Sequence, residues 1–169
     1  RFGKETIAAR GEAHLAFGRV TQVHSAIEVA CFDLMGKATG RPVVDLLGGR
    51  VRDRVDFSAY LFYKYEGAGG ALGFDTDPNA TGWAAARQKA ALDPAGVVAE
   101  AQAMCDAFGF KSIKLKGGAF PPDEEADAIL AMYEHFGPGT PLRLGPNAIW
   151  SVETSVRIGE RLKGILEYY

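Results

Sequence analysis

No stretch of the 169 residues approaches the roughly 18 consecutive apolar side chains of a membrane span. There is no basic run and no acidic tail, and the net charge is only −2. That argues against a nucleic-acid partner and gives no attraction to a membrane surface. No Gly-x-Gly-x-x-Gly follows a strand-like segment and no Walker sequence occurs, so a dinucleotide or P-loop fold is unsupported. The first residues, Arg1-Phe2-Gly3-Lys4, form no apolar signal core. Cysteine is scarce. Cys31 and Cys105 both fall in apolar helical patterns, which predicts two buried free thiols in a reducing cytoplasm and not a disulfide or metal pair.

What is present is an ordinary globular mixture, 47% hydrophobic and 24% charged, long enough to bury one sizeable core. Glycines 3, 11 and 18 interrupt a possible helix over 6–17. Residues 21–38 carry Val23, Ala26, Ile27, Ala30, Cys31, Leu34 and Met35 at helical spacing, with Thr21 as a candidate N-cap. Pro42 opens a second, short helix that ends at Gly48-Gly49. A charged connector, Arg50 to Arg54, leads into a strand over 55–63 whose two faces both turn apolar toward its end. Residues 64–93 form a long glycine-rich insertion; Tyr65, Phe74 and Trp83 predict a packed loop covering a site. Helices over 94–108, 123–136 and 151–162 then alternate with strands over 111–116, 141–144 and 165–169, with Ser151 as an N-cap. Alternation with short links predicts parallel β/α units, with chemistry at the strand C-terminal ends.

The stretch Lys111 to Gly118 stands out. Ile113 and Leu115 alternate with Lys114 and Lys116, so a strand places both lysines on one face. Two ammoniums about 7 Å apart repel by roughly 2 kcal/mol at an effective dielectric near 20, which favours the neutral amine that accepts a proton. On pattern alone, a solvated edge strand guarded by lysines is an equally physical outcome.

Several runs together carry a resemblance. Ala26-Ile27-Glu28, Phe32 to Lys37, Gly40 to Val43 and Leu46 to Gly49 resemble the end of the capping domain in the enolase superfamily. Lys114-Leu115-Lys116 is similar to that superfamily's Lys-x-Lys on the second barrel strand. Tyr60 to Tyr63, Lys114 to Gly118 and Pro146 to Ser151, in that order, resemble the glucarate dehydratase branch. The resemblance implies an α/β fold: a partial (β/α) barrel of three to four units over 55–169, preceded by the helical end of an α+β capping domain over 1–54. It implies a Mg²⁺-assisted hydro-lyase of the cytoplasm, homo-oligomeric at full length, whose partner is a small acid sugar. In that reading Lys116 abstracts the proton α to the carboxylate. Lys114 contacts the carboxylate, and Tyr60 and Asn147 touch substrate.

The chain departs from the resemblance in one residue and in its length. Where the family has Asp-Pro-Asn, with the Asp as first metal ligand, this chain has Gly145-Pro146-Asn147. A hard cation needs oxygen ligands, and glycine offers no carboxylate. The remaining ligands fall beyond Tyr169, so the chain is expected to be an internal piece of a longer protein, to bind no Mg²⁺ and to be inactive as written. Other outcomes stay open: another superfamily racemase or dehydratase, a Schiff-base enzyme using Lys116, or a non-catalytic barrel that binds a small anion or assembles with itself.

Overall fold

A computed structural model of the protein describes residues 14–68 and 76–168. Most of the helix expected over 6–17, the middle of the 64–93 insertion with Phe74, and Tyr169 lie outside the described residues. The chain divides into two compact units between Val55 and Asp56.

The first unit contains helix α1 (His14–Thr39) and helix α2 (Val43–Leu46). Helix α1 already runs at His14, so Thr21 lies inside it and is not an N-cap. Pro42 holds the N-cap position of α2, one place earlier than the first-turn position expected of it. The apolar stripe predicted on α1 is not a core face among the described residues: Val23, Ile27, Leu34 and Met35 are each more than half exposed. Cys31 is exposed as well, which corrects the expectation of a buried thiol. Within this unit only α2 packs against the described part of that helix. The periodicity was real, but a stripe is buried only where something packs on it.

The second unit is a four-stranded parallel sheet of order β1-β2-β3-β4, with strands β1 (Ala59–Phe62), β2 (Ile113–Lys116), β3 (Leu142–Leu144) and β4 (Leu166–Tyr168). Helix α3 (Gly82–Ala86) lies in the insertion; α4 (Pro94–Phe108), α5 (Pro122–Phe136) and α6 (Val152–Arg161) follow in alternation with the strands. This is the architecture of a partial β/α barrel, as the alternating pattern predicts. Strand β1 is shorter than the 55–63 expected. Its pairing with β2 begins at Ala59↔Ile113, so residues 55–58 have no ladder to join, and Val55 and Phe57 stay exposed.

Local chemistry sets the helix starts. The Asp93 side chain accepts from the Gly96 N–H at 2.7 Å, and Pro94 fills the first helical position of α4. The Ser151 hydroxyl accepts from the Thr154 N–H, the cap expected for α6. The core lies between sheet and helices: Ala59, Leu61, Ile113, Leu115, Leu142 and Leu144 from the strands meet Val97, Ala101, Ile129, Met132, Ile158 and Leu162. The free thiol of Cys105 is half-buried at its edge, and burial pushes that thiol up from its ordinary range. The described part of the insertion packs on α4, where Trp83 meets Phe108 edge-on with centroids 6.0 Å apart. No helix among the described residues is long and apolar enough to cross a membrane.

Leu115 is fully buried at the centre of this layer, whereas Phe57 is 75% exposed. Leu115→Ala is therefore expected to lower unfolding free energy by about 2–5 kcal/mol in urea titration, and Phe57→Ala by about 0.5 kcal/mol or less. Equal effects would contradict the assignment of the buried face.

Candidate active site

Alternation along the strands gives the sheet a second face, turned away from the helices. In β2 the buried Ile113 and Leu115 alternate with the half-buried Lys114 and Lys116. In β1 the buried Ala59 and Leu61 alternate with Tyr60 and Phe62. The register sets these side chains in rows. Tyr60, Lys114, Arg143 and Tyr168 are level across the four strands. Phe62 and Lys116 form the next row, toward the strand C-terminal ends. Gly145 completes it: its N–H donates to the Leu115 carbonyl at 3.0 Å and its carbonyl accepts from the Gly117 N–H at 3.2 Å, so it stands beside Lys116.

Lys114 reaches across its row. Its Nζ lies 5.4 Å from the Tyr60 ring centroid and 5.6 Å from that of Tyr168, a cation between two aromatic rings. It also crowds Gly145, where a Cβ would fall 3.1 Å from Lys114 Cε and 3.6 Å from its Nζ. The Lys116 Nζ makes no hydrogen bond or ion pair among the described residues, which leaves the amine free to meet a ligand. Asn147 lies in the loop after β3, at the same end of the sheet. It and Ala148 both have left-handed backbones, with φ of 54° and 56°. Asn tolerates that conformation and Ala does so only at a cost, so the turn is held by its surroundings. The structure therefore brings Tyr60, Lys114, Lys116 and Gly145 onto one face, with Asn147 in the loop above them.

Sequence reasoning missed Arg143. Leu142-Arg143-Leu144 has the same alternation as Ile113-Lys114-Leu115, and that was the available signal. Arg143 is committed to its neighbours. Its Nε donates to Glu167 Oε2 at 2.6 Å, one Nη donates to the hydroxyls of Ser58 and Ser112, and its guanidinium lies 5.5 Å from the Tyr168 ring centroid. Ser58 and Ser112 share a hydrogen bond of 2.7 Å just below the lysine row. Among the described residues the face thus carries Lys114, Lys116 and Arg143, with the Glu167 carboxylate paired to Arg143.

That balance decides what the face can hold. Glu167 is engaged by Arg143. Both oxygens of Glu125 are taken by backbone N–H groups. Gly145 has no side chain, and the space a side chain would enter faces the Lys114 ammonium. Among the described residues no three His, Cys, Asp or Glu side chains come together. A divalent cation needs several anionic or carbonyl oxygens, so the described residues do not fit one. The side chains gathered here are instead the ammoniums of Lys114 and Lys116 and the guanidinium of Arg143, with the rings of Tyr60 and Tyr168 against Lys114.

Comparisons with known proteins agree with this architecture. Residues 96–169 match the family described as enolase C-terminal domain-like. A probable glucarate dehydratase of Streptomyces coelicolor is 52% identical over 146 residues, 86% of this chain and 32% of that protein. Muconate cycloisomerase 1 of Pseudomonas putida is 29% identical over 81% of this chain and 29% of its own length. Among solved structures, an enolase of Thermobispora bispora complexed with magnesium and formate superposes with a TM-score of 0.65 at 55% identity, covering 83% of this chain and 30% of that one. An enolase of Pseudomonas fluorescens with bound magnesium, potassium and tartrate has a TM-score of 0.66 at 42% identity, covering 98% of this chain and 39% of that one. The chain spans about a third of the length of the relatives it matches. A parallel β/α sheet with its cations at the strand ends, and these relatives, lead to one conclusion: the chain belongs to the enolase superfamily.

Proposed function

We propose that this chain is part of an acid-sugar dehydratase of the glucarate dehydratase type, which removes the proton α to a carboxylate and then expels a β-hydroxyl as water. In this reading residues 1–54 are the helical end of a capping domain and 55–169 the first units of the barrel. The observation that carries it is the pair Lys114 and Lys116, level with Tyr60 and Phe62 on the open face at the strand C-terminal ends. The 52% identity to a probable glucarate dehydratase supports the substrate class.

Each residue then has a distinct task. Lys116, whose amine has no partner among the described residues, takes the α-proton. Lys114, anchored between Tyr60 and Tyr168, holds the substrate carboxylate and offsets the charge that grows as the enediolate forms. Tyr60 and Asn147 hold the sugar hydroxyls. Relatives crystallised with magnesium support Mg²⁺ as the family's cofactor. With Gly145 at the end of β3, this chain binds none and has no dehydratase activity.

Two measurements test this reading. In a complete barrel carrying this chain, Gly145→Asp is expected to gain Mg²⁺ binding in calorimetry that the Gly145 form lacks. If both forms bind alike, the metal site has been misplaced. In the Gly145→Asp background, Lys116→Ala is expected to slow solvent-deuterium exchange at the carbon α to the glucarate carboxylate by roughly 10²–10⁴-fold. Undiminished exchange would assign the base elsewhere.

A further inference from the structure

The carboxylate of Glu125 has no part in the reaction described above, yet it is wholly buried, 0% exposed. It lies in the first turn of α5 and reaches back to the loop that leaves β2. Oε2 accepts the Gly118 N–H at 2.9 Å, and Oε1 accepts the Ala119 and Phe120 N–H groups at 2.8 and 2.9 Å. It forms no ion pair among the described residues, so these three amides, with the N-terminal end of α5, offset its charge.

The grip extends to all three neighbouring strand ends. A Cβ on Gly117 would lie 2.5 Å from Glu125 Oε2 and 2.9 Å from Leu144 Cδ1, so residue 117 must be glycine for the carboxylate to come this close. Gly118 has a φ of +85°, and a Cβ there would meet the Pro146 carbonyl oxygen at 2.8 Å. Gly117 also donates to the Gly145 carbonyl. Phe120 stacks edge-on against Tyr63 just past β1, with centroids 4.6 Å apart. The residue immediately before this clamped run is Lys116.

We infer that Glu125 is a positioning residue for Lys116: by holding the three amides that follow, it fixes the end of β2 against the Gly145–Asn147 turn. This rests on Lys116 being the base. The carboxylate acts from the helix side of the sheet, so its loss moves the lysine without removing any group that touches substrate. Glu125→Gln keeps the size but sets an NH₂ donor against at least one of the three amide donors. Glu125→Asp keeps the charge but shortens the reach. Ile129→Val, a buried change one turn further along α5, serves as the control for a simple loss of stability.

Two readouts are taken together. In this chain, amide hydrogen exchange followed by NMR is expected to quicken at least tenfold at Gly118, Ala119 and Phe120 in Glu125→Gln and Glu125→Asp, relative to Ile113 and Leu115. Ile129→Val should leave that ratio unchanged. In the complete Gly145→Asp barrel, both Glu125 variants should lower kcat for α-proton exchange at least tenfold with KM within about twofold, while Ile129→Val leaves both constants in place. Lys116→Ala is run beside them. If it abolishes exchange while the Glu125 variants keep their kcat, or if the three amides stay protected in both variants, the positioning role is overturned. If Lys116→Ala retains exchange, the assignment of the base falls first and this inference falls with it.

Discussion

Side chains on a β-strand alternate, and in this sheet that alternation decides what every other part can do. The helices take one set: Ala59, Leu61, Ile113, Leu115, Leu142 and Leu144 are all at 1% exposure or less. Burying a leucine or isoleucine side chain supplies about 1.5–3 kcal/mol, so the register of each strand is set by its aliphatic members. The polar members follow without choice. A slip of one residue would drive Lys114, Lys116 and Arg143 into the helix layer at a cost no local contact offsets. The cations of the open face are therefore a consequence of the core, which fixes the side of the sheet they occupy.

The charged face carries a tension that the sheet does not relieve by itself. Among the described residues Lys114, Lys116 and Arg143 share it, and the Glu167 carboxylate is held by Arg143. Tyr60 and Tyr168 screen Lys114 from both sides with their ring faces, which attract a cation while leaving its hydrogen-bond donors unused. An acidic side chain after Leu144 would stand against the Lys114 ammonium and change the sign of the balance locally. Glycine leaves the lysine to extend into that space.

The sequence reading succeeded where local chemistry is self-contained. Ser151 and Pro94 marked helix starts because a cap or a fixed φ acts within one turn. The lysine pair could be placed on one face because the period of a strand is invariant. Reading failed where the outcome depended on a distant partner. Strand β1 stops short of Val55 because β2 begins at Ile113, a fact that no residue near Val55 encodes. Cys31 sits on an apolar stripe that the described residues of its unit leave largely exposed. Arg143 was legible in the alternation of Leu142-Arg143-Leu144, the same pattern that places the lysines. Glu125 carries no local signature: three acids open α5, and only the fold shows that this one, unlike the exposed Asp123 and Glu124, turns inward to the β2 loop.

The central claim is that the lysine pair is built for proton abstraction but that Gly145 withholds the carboxylate that would complete the site. It is tested most directly by incubating glucarate in D₂O with Mg²⁺ and complete barrels that differ only at residue 145, then following deuterium at the carbon α to the carboxylate. The account predicts rapid incorporation with Gly145→Asp and none above background with Gly145. Equal incorporation in both forms would contradict it.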